Sequence, residues 1–219
     1  MPSFHEQLRE IDKSLNERYS GRLRNFGDDP RTLGWDTQAN QRVRFALACR
    51  EIDVSDAAVL DVGCGLADFR SYLNDSGNHC GRYIGVDINP DLLQQCRTKF
   101  PDDTFRCGNL LVDELPDVRA DFAVMFGVLN FRFAEINNLE FAKSMIAAAF
   151  DRVDNALVFD MLTTVRDEDY PEEDFVYYYN PSEILEFAFS LTPHVTLRHD
   201  YPSIPQREMM LCLRKHADV

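Results

Sequence analysis

The sequence predicts an α/β protein: a doubly wound, mostly parallel seven-stranded sheet, ended by a C-terminal antiparallel hairpin and preceded by an N-terminal helical extension. Three observations carry that prediction. From Ala57 onward, short apolar β-rich runs alternate with helical patterns, the order of βαβ units and hence of a parallel sheet. The last two apolar runs, HVTLRHDY and EMMLCLRK, are separated only by the six residues Pro202 to Arg207, too few for a crossover helix, so they pair antiparallel. The chain before the first strand is helical, so residues 1–55 are expected to form an extension or cap on a sheet domain of residues 56–219, within one globular unit.

The elements follow in order. Ser3 and Glu6 stand at capping-box spacing, and Phe4, Leu8, Ile11 and Leu15 recur at helical intervals, predicting an amphipathic first helix. A polar loop is expected through Gly21, Gly27, Asp28, Asp29 and Pro30, then a second helix from about Thr37 to Ile52. The helix-linked strands are the runs AAVLDVG, YIGVDI, DTFRCGN, DFAVMFGVLN and NALVFDML. Helices are expected near Ala67 to Asn74, Pro90 to Phe100 and Asn137 to Val153, the last with Leu139, Ala142, Met145, Ile146, Ala149, Phe150 and Val153 on one face. A further helix begins at Asn180, with Pro181 in its first position and Glu183 at capping-box spacing, before the closing hairpin.

Composition narrows the partners. A net charge of −14 repels phosphate backbones and anionic lipid surfaces, so neither nucleic acid nor membrane is expected as a partner. The opening MPSFHEQLREIDKSL has no apolar core of signal-peptide length, no apolar run is long enough to span a bilayer, and the protein reads as cytoplasmic. Cys49, Cys64, Cys80, Cys96, Cys107 and Cys212 are scattered without metal-ligand spacing, as reduced core or loop residues would be, and no metal site is expected.

The stretch VLDVGCGLADF, residues 59–69, carries the first chemical signal. Gly63, Cys64 and Gly65 fall at the carboxyl end of the first strand, where a doubly wound sheet binds nucleotides, and glycine there lets the backbone approach a ligand closely. Both a dinucleotide and S-adenosylmethionine fit this outline. For a pyrophosphate a third glycine is wanted at position 68, where this chain has Asp68, an anion at the helix N-terminus that a phosphate would otherwise occupy. Asp61 adds a second negative charge before the turn, and the two acids suit the sulfonium and ammonium groups of S-adenosylmethionine.

VLDVGCGLADF, then YIGVDINP, FRCGNLL and DFAVMFGVLNF, resemble the successive cofactor motifs of class I S-adenosylmethionine-dependent methyltransferases. The terminal hairpin is similar to the antiparallel end of that family's sheet, and the resemblance runs from Val59 to Lys215. It implies that Asp61, Gly63, Cys64 and Gly65 wrap the methionine portion of S-adenosylmethionine, that Asp87 takes the ribose hydroxyls, and that Ile88 packs on the adenine. It further places Asn109, Leu110 and Phe126 at the cofactor. Asp87 lies 22 residues beyond Gly65 at the end of the second strand, where a hydroxyl-binding carboxylate is expected on residue order alone. The chain departs from the family pattern at Ala67, where glycine is frequent, and at Asn109, where an Asp often accepts from the adenine amino group. An amide oxygen at Asn109 can accept the same bond.

Candidates for the acceptor side stand at later strand ends: Asn130, Asp160, and the trio His199, Asp200 and Tyr201. His199 is the expected general base because a histidine ordinarily titrates near neutrality, with Asp160 and Tyr201 as further catalytic candidates. Asp167 to Pro181, DEDYPEEDFVYYYNP, reads as an acidic, aromatic rim suited to a cationic or amine-bearing small-molecule acceptor. From the N-terminal extension, Trp35, Tyr19 and Gln41 are expected over the cofactor, and Arg44 on its methionine carboxylate. Two other functions fit less of this pattern: a non-catalytic S-adenosylmethionine-binding or partner-binding domain, and an NAD-dependent oxidoreductase.

Overall fold

In the computed structural model, which describes residues 2–165, 172–201 and 208–217, the chain opens with helix α1 (Phe4–Phe26). The Ser3 hydroxyl accepts from the Glu6 N–H while the Ser3 N–H donates to the Glu6 carboxylate at 2.6 Å, the reciprocal cap that the spacing predicts. The expected loop at Gly21 does not form. The helix runs through it to Gly27, because a glycine costs a helix only about 1 kcal/mol and the flanking turns are docked, Ser20 donating to Asp91 and Arg22 to the carbonyls of Arg31 and Thr32. A 3-10 turn (Pro30–Leu33) capped by Asp29 and helix α2 (Gln38–Glu51) capped by Thr37 complete the extension.

The sheet comprises β1 (Ala58–Val62), β2 (Arg82–Asp87), β3 (Thr104–Cys107), β4 (Ala120–Met125), β5 (Val153–Leu162), β6 (His194–Arg198) and β7 (Glu208–Arg214). Their order is β3-β2-β1-β4-β5-β7-β6; β7 runs antiparallel between β5 and β6, and the other neighbours are parallel. The connection between β6 and β7, and residues 167–171 of the predicted acidic rim, lie outside the described residues. Helices α3 (Asp68–Ser76), α4 (Pro90–Lys99), α5 (Asn138–Asp151) and α6 (Pro181–Leu191) link the strands.

Alternation along the strands sorts the core onto two faces. Leu60, Leu157, Phe159 and Leu211 join α5 and α6 on one side, while Val59, Val124, Val158 and Met210 join α2, α3 and α4 on the other. Asp61, Asp160 and Glu208 share the second parity, so these buried acids face the side on which α2 packs. Strand order reverses between β1 and β4, which opens the crevice at their carboxyl ends. Among the described residues no helix is long and apolar enough to cross a membrane.

Candidate active site

The turn after β1 is built for close approach. Gly63 and Cys64 both donate to the Val86 carbonyl, at 2.7 and 3.1 Å, and Gly63 and Gly65 take φ values of +73° and +55°. A Cβ would lie 2.4 Å from Val128 at Gly63 and 2.6 Å from Leu33 at Gly65, so these positions admit only glycine without rearrangement. Ala67 is also left-handed, at φ 57°, which shows why glycine is frequent here and what its replacement costs, about 1–2 kcal/mol.

The carboxylates are anchored with lone pairs to spare. Asp87 ends β2 and accepts from the Gly65 N–H at 2.9 Å and the Asn89 N–H at 2.8 Å, tying the second strand to the glycine turn. Burial pushes its carboxyl up, against the pull of those backbone donors. Asp61 accepts from the Tyr83 hydroxyl, and burial lifts its carboxyl to about 7. Asp68, at the start of α3, accepts from Gln41 of α2 at 2.8 Å. After β3, the amide nitrogen of Asn109 donates to both Asp12 oxygens, at 2.9 and 3.2 Å, and its amide oxygen accepts from the Leu111 N–H at 3.0 Å.

These turns share one cavity of about 1160 Å³, counting its open mouth. Its floor is the strand ends, residues 61–65, 86–88, 108–110 and 126–128. Leu8, Ile11, Asp12, Leu15 and Tyr19 of α1 form the roof with Leu33, Trp35, and Gln41 and Phe45 of α2; Phe131, Phe133, Phe141 and Met145 supply an apolar wall. Among the described residues, the carboxylic acids along it are Asp12, Asp61, Asp68 and Asp87, and no Lys, Arg or His lines it. That electrostatic balance suits a ligand bearing a sulfonium and an ammonium and opposes a pyrophosphate.

Of the residues expected at the cofactor, Asp61, Gly63, Cys64, Gly65, Asp87, Ile88, Asn109, Leu110 and Phe126 all line this cavity, as do Trp35, Tyr19 and Gln41. Arg44 does not. It is fully buried, donates to Glu208 from both Nε and Nη2, lies 3.2 Å from Asp160, and stacks over Trp35 at 4.4 Å, so it is not free for a methionine carboxylate.

The three expected catalytic residues are likewise outside the cavity lining. Asp160 Oδ1 accepts from the Gly127 N–H at 2.7 Å, and Tyr201 donates to Glu208 at 2.8 Å. His199 Nε2 sits 3.2 Å from the Thr163 hydroxyl. Asp160 and Tyr201 are therefore structural members of the Arg44 cluster, and His199 belongs to the β5 edge. Sequence reasoning missed two acids whose signal was present: Asp12, an acid adjoining the buried stripe of Leu8 and Ile11, and Glu208, an acid opening an otherwise apolar strand.

Residues 59–150 match the family model of a methyltransferase domain, and the fold and the acid-lined crevice around that stretch agree with S-adenosylmethionine-dependent methyl transfer. Solved structures with the same architecture include the 1,6-didemethyltoxoflavin N1-methyltransferase of Burkholderia thailandensis with 1,6-didemethyltoxoflavin and S-adenosylhomocysteine bound (TM-score 0.66, 16% identity, 99% of this chain and 92% of that one). The magnesium protoporphyrin IX methyltransferase of Synechocystis PCC 6803 with bound S-adenosylmethionine is similar over 97% of this chain and 99% of its own (TM-score 0.64, 14% identity). A TehB-like methyltransferase of Corynebacterium glutamicum aligns over 93% of this chain and 100% of its own (TM-score 0.56, 18% identity). No curated protein sequence matches the chain.

Proposed function

We propose that the chain methylates a small-molecule acceptor that is cationic or amine-bearing, and that residues 1–55 serve as the cap over the reacting groups. The observation that carries this reading is the cavity lining, a roofed chamber with an aromatic wall and, among the described residues, four carboxylates and no basic side chain. A roofed chamber favours a small acceptor over a polymer, aromatic faces and carboxylates favour a cation over an anion, and the net charge of −14 disfavours nucleic acid.

S-adenosylmethionine supplies an electrophilic methyl group when bound, so the protein's task is to align the nucleophile and keep water away. The turn at residues 63–65 and Asp61 would hold the methionine portion, with Asp68 and Gln41 beside its ammonium. Asp87 would accept from the ribose hydroxyls with the lone pairs that its two backbone donors leave free. Leu15, Leu33 and Trp35 exclude water from above. His199, Asp160 and Tyr201 handle no proton in the transfer, because none reaches the cavity.

The test is to incubate the protein with methyl-labelled S-adenosylmethionine and a whole-cell extract, then separate small molecules from protein and nucleic acid by filtration and cation exchange. The label should appear in the cation-retained small-molecule fraction. Label confined to macromolecules would overturn the reading.

A further inference from the structure

Asn109 occupies the position at which the family pattern places an adenine-reading acid, and both ends of its side-chain amide are engaged within the protein. Its oxygen is engaged by the Leu111 N–H at 3.0 Å, and its amide nitrogen points at the carboxylate of Asp12, 2.9 and 3.2 Å away. Asp12 lines the same cavity as Ile88, the residue expected to pack on the base, and Leu110. One amide group satisfies only part of a carboxylate, which has about four acceptor sites.

A second observation lies one helical turn further along α1. The Asn16 side-chain oxygen is buried with no hydrogen-bond partner, while the Asn16 carbonyl accepts from Asn89, two residues past the ribose-binding Asp87. Of the acidic and amide side chains of α1, Asp12 alone lines the cavity, and a nucleoside has a donor to meet it in its exocyclic amine.

We propose that Asp12 of the cap helix, oriented by Asn109, accepts the hydrogen bond of the adenine amino group, so that base recognition is supplied by the roof and not by the loop after β3. The cap is then part of the cofactor site, and binding the base holds α1 closed. This rests on the S-adenosylmethionine assignment.

The test compares S-adenosylhomocysteine with S-inosylhomocysteine, in which a carbonyl oxygen replaces the amine, by calorimetry on the full-length protein. The wild type should prefer the adenine compound by roughly ten- to a hundredfold, the range of a hydrogen bond to a charged group. Asp12→Ala, which leaves no side-chain acceptor at position 12, should lose that preference by weakening the adenine compound more than the inosine compound. Arg9→Ala, which removes the nearby pairing of α1 with Asp113 at 2.7 Å, should weaken both compounds equally. The proposal is overturned if the wild type binds both compounds alike, or if Asp12→Ala weakens both to the same degree. A wild type that binds neither compound overturns the cofactor assignment first.

Discussion

Glu208→Gln should flatten the pH dependence of stability, and the size of the effect follows from the charge count in the buried cluster. Arg44 and Asp160 are fully buried and Glu208 nearly so, which sets one guanidinium against two carboxylates. With both acids ionised a net negative charge would be buried, at a cost of several kcal/mol. Asp160 keeps the proton instead. Burial and then the Glu208 charge lift its carboxyl to about 8, against the opposing pull of Arg44 and the Gly127 N–H. In the unfolded chain an aspartate titrates near 3.9. Between about pH 4 and 8 the folded state therefore holds a proton that the unfolded state has lost, and stability falls with rising pH by about 1.4 kcal/mol per unit. Above that window the decline stops. Glutamine at 208 removes the second-largest cause of the shift, after burial, and leaves a balanced Arg44–Asp160 pair, so that slope should shrink. Asp61, lifted to about 7, contributes its own decline to both proteins and cancels in the difference. Urea unfolding followed by Trp35 fluorescence at pH 5.5, 6.5 and 7.5 reads that difference. The variant should gain on the wild type by up to about 1 kcal/mol per pH unit, and parallel curves would refute the shared-proton account.

Three further outcomes follow. Asp87→Ala should weaken S-adenosylhomocysteine binding roughly ten- to a hundredfold in calorimetry, since it also unties the Gly65 and Asn89 backbone donors. Gly65→Ala places a Cβ 2.6 Å from Leu33 at a φ of +55°, so thermal melting should show a loss of about 1–3 kcal/mol, which added Leu33→Ala relieves only in part because the backbone strain stays. His199→Ala should leave the methyl-transfer rate within about twofold, because the ring contacts Thr163 and not the cavity; a hundredfold loss would restore it as a base.

Much of the fold was readable because its determinants are local. Alternating apolar runs, the Asn180–Pro181 start of α6 and the six-residue gap before β7 each act over a few residues, and each appears in the structure as expected. The turn after β1 was legible for the same reason: the positive φ of Gly63 and Gly65 and the Asp87 bond to the Gly65 N–H are backbone features of the strand ends. Gly21 misled because a turn former is only a weak penalty in a helix whose neighbours hold it. The buried Arg44 cluster and the contact between the loop after β3 and α1 could not be read because their residues are assembled over long separations. Arg44 meets Glu208 across 164 positions and Asn109 meets Asp12 across 97, and no spacing rule reaches that far.

The misassigned residues nonetheless bear on the site, at one remove. Arg44 ties α2 to β5 and β7, two neighbouring strands of the sheet. The same guanidinium supports the Trp35 ring at 4.4 Å, and Asp160 holds the Gly127 N–H at 2.7 Å. A Cβ on Gly127 would stand 3.0 Å from the Trp35 ring, so the two residues meet closely where the roof joins the floor. Cluster and cavity therefore share a wall, and the charge state of Asp160 sets how firmly that wall is held. A strand-end acid beside a ligand pocket looks catalytic from sequence. Here its full burial and its arginine partner make it the support for the surfaces that touch the ligand.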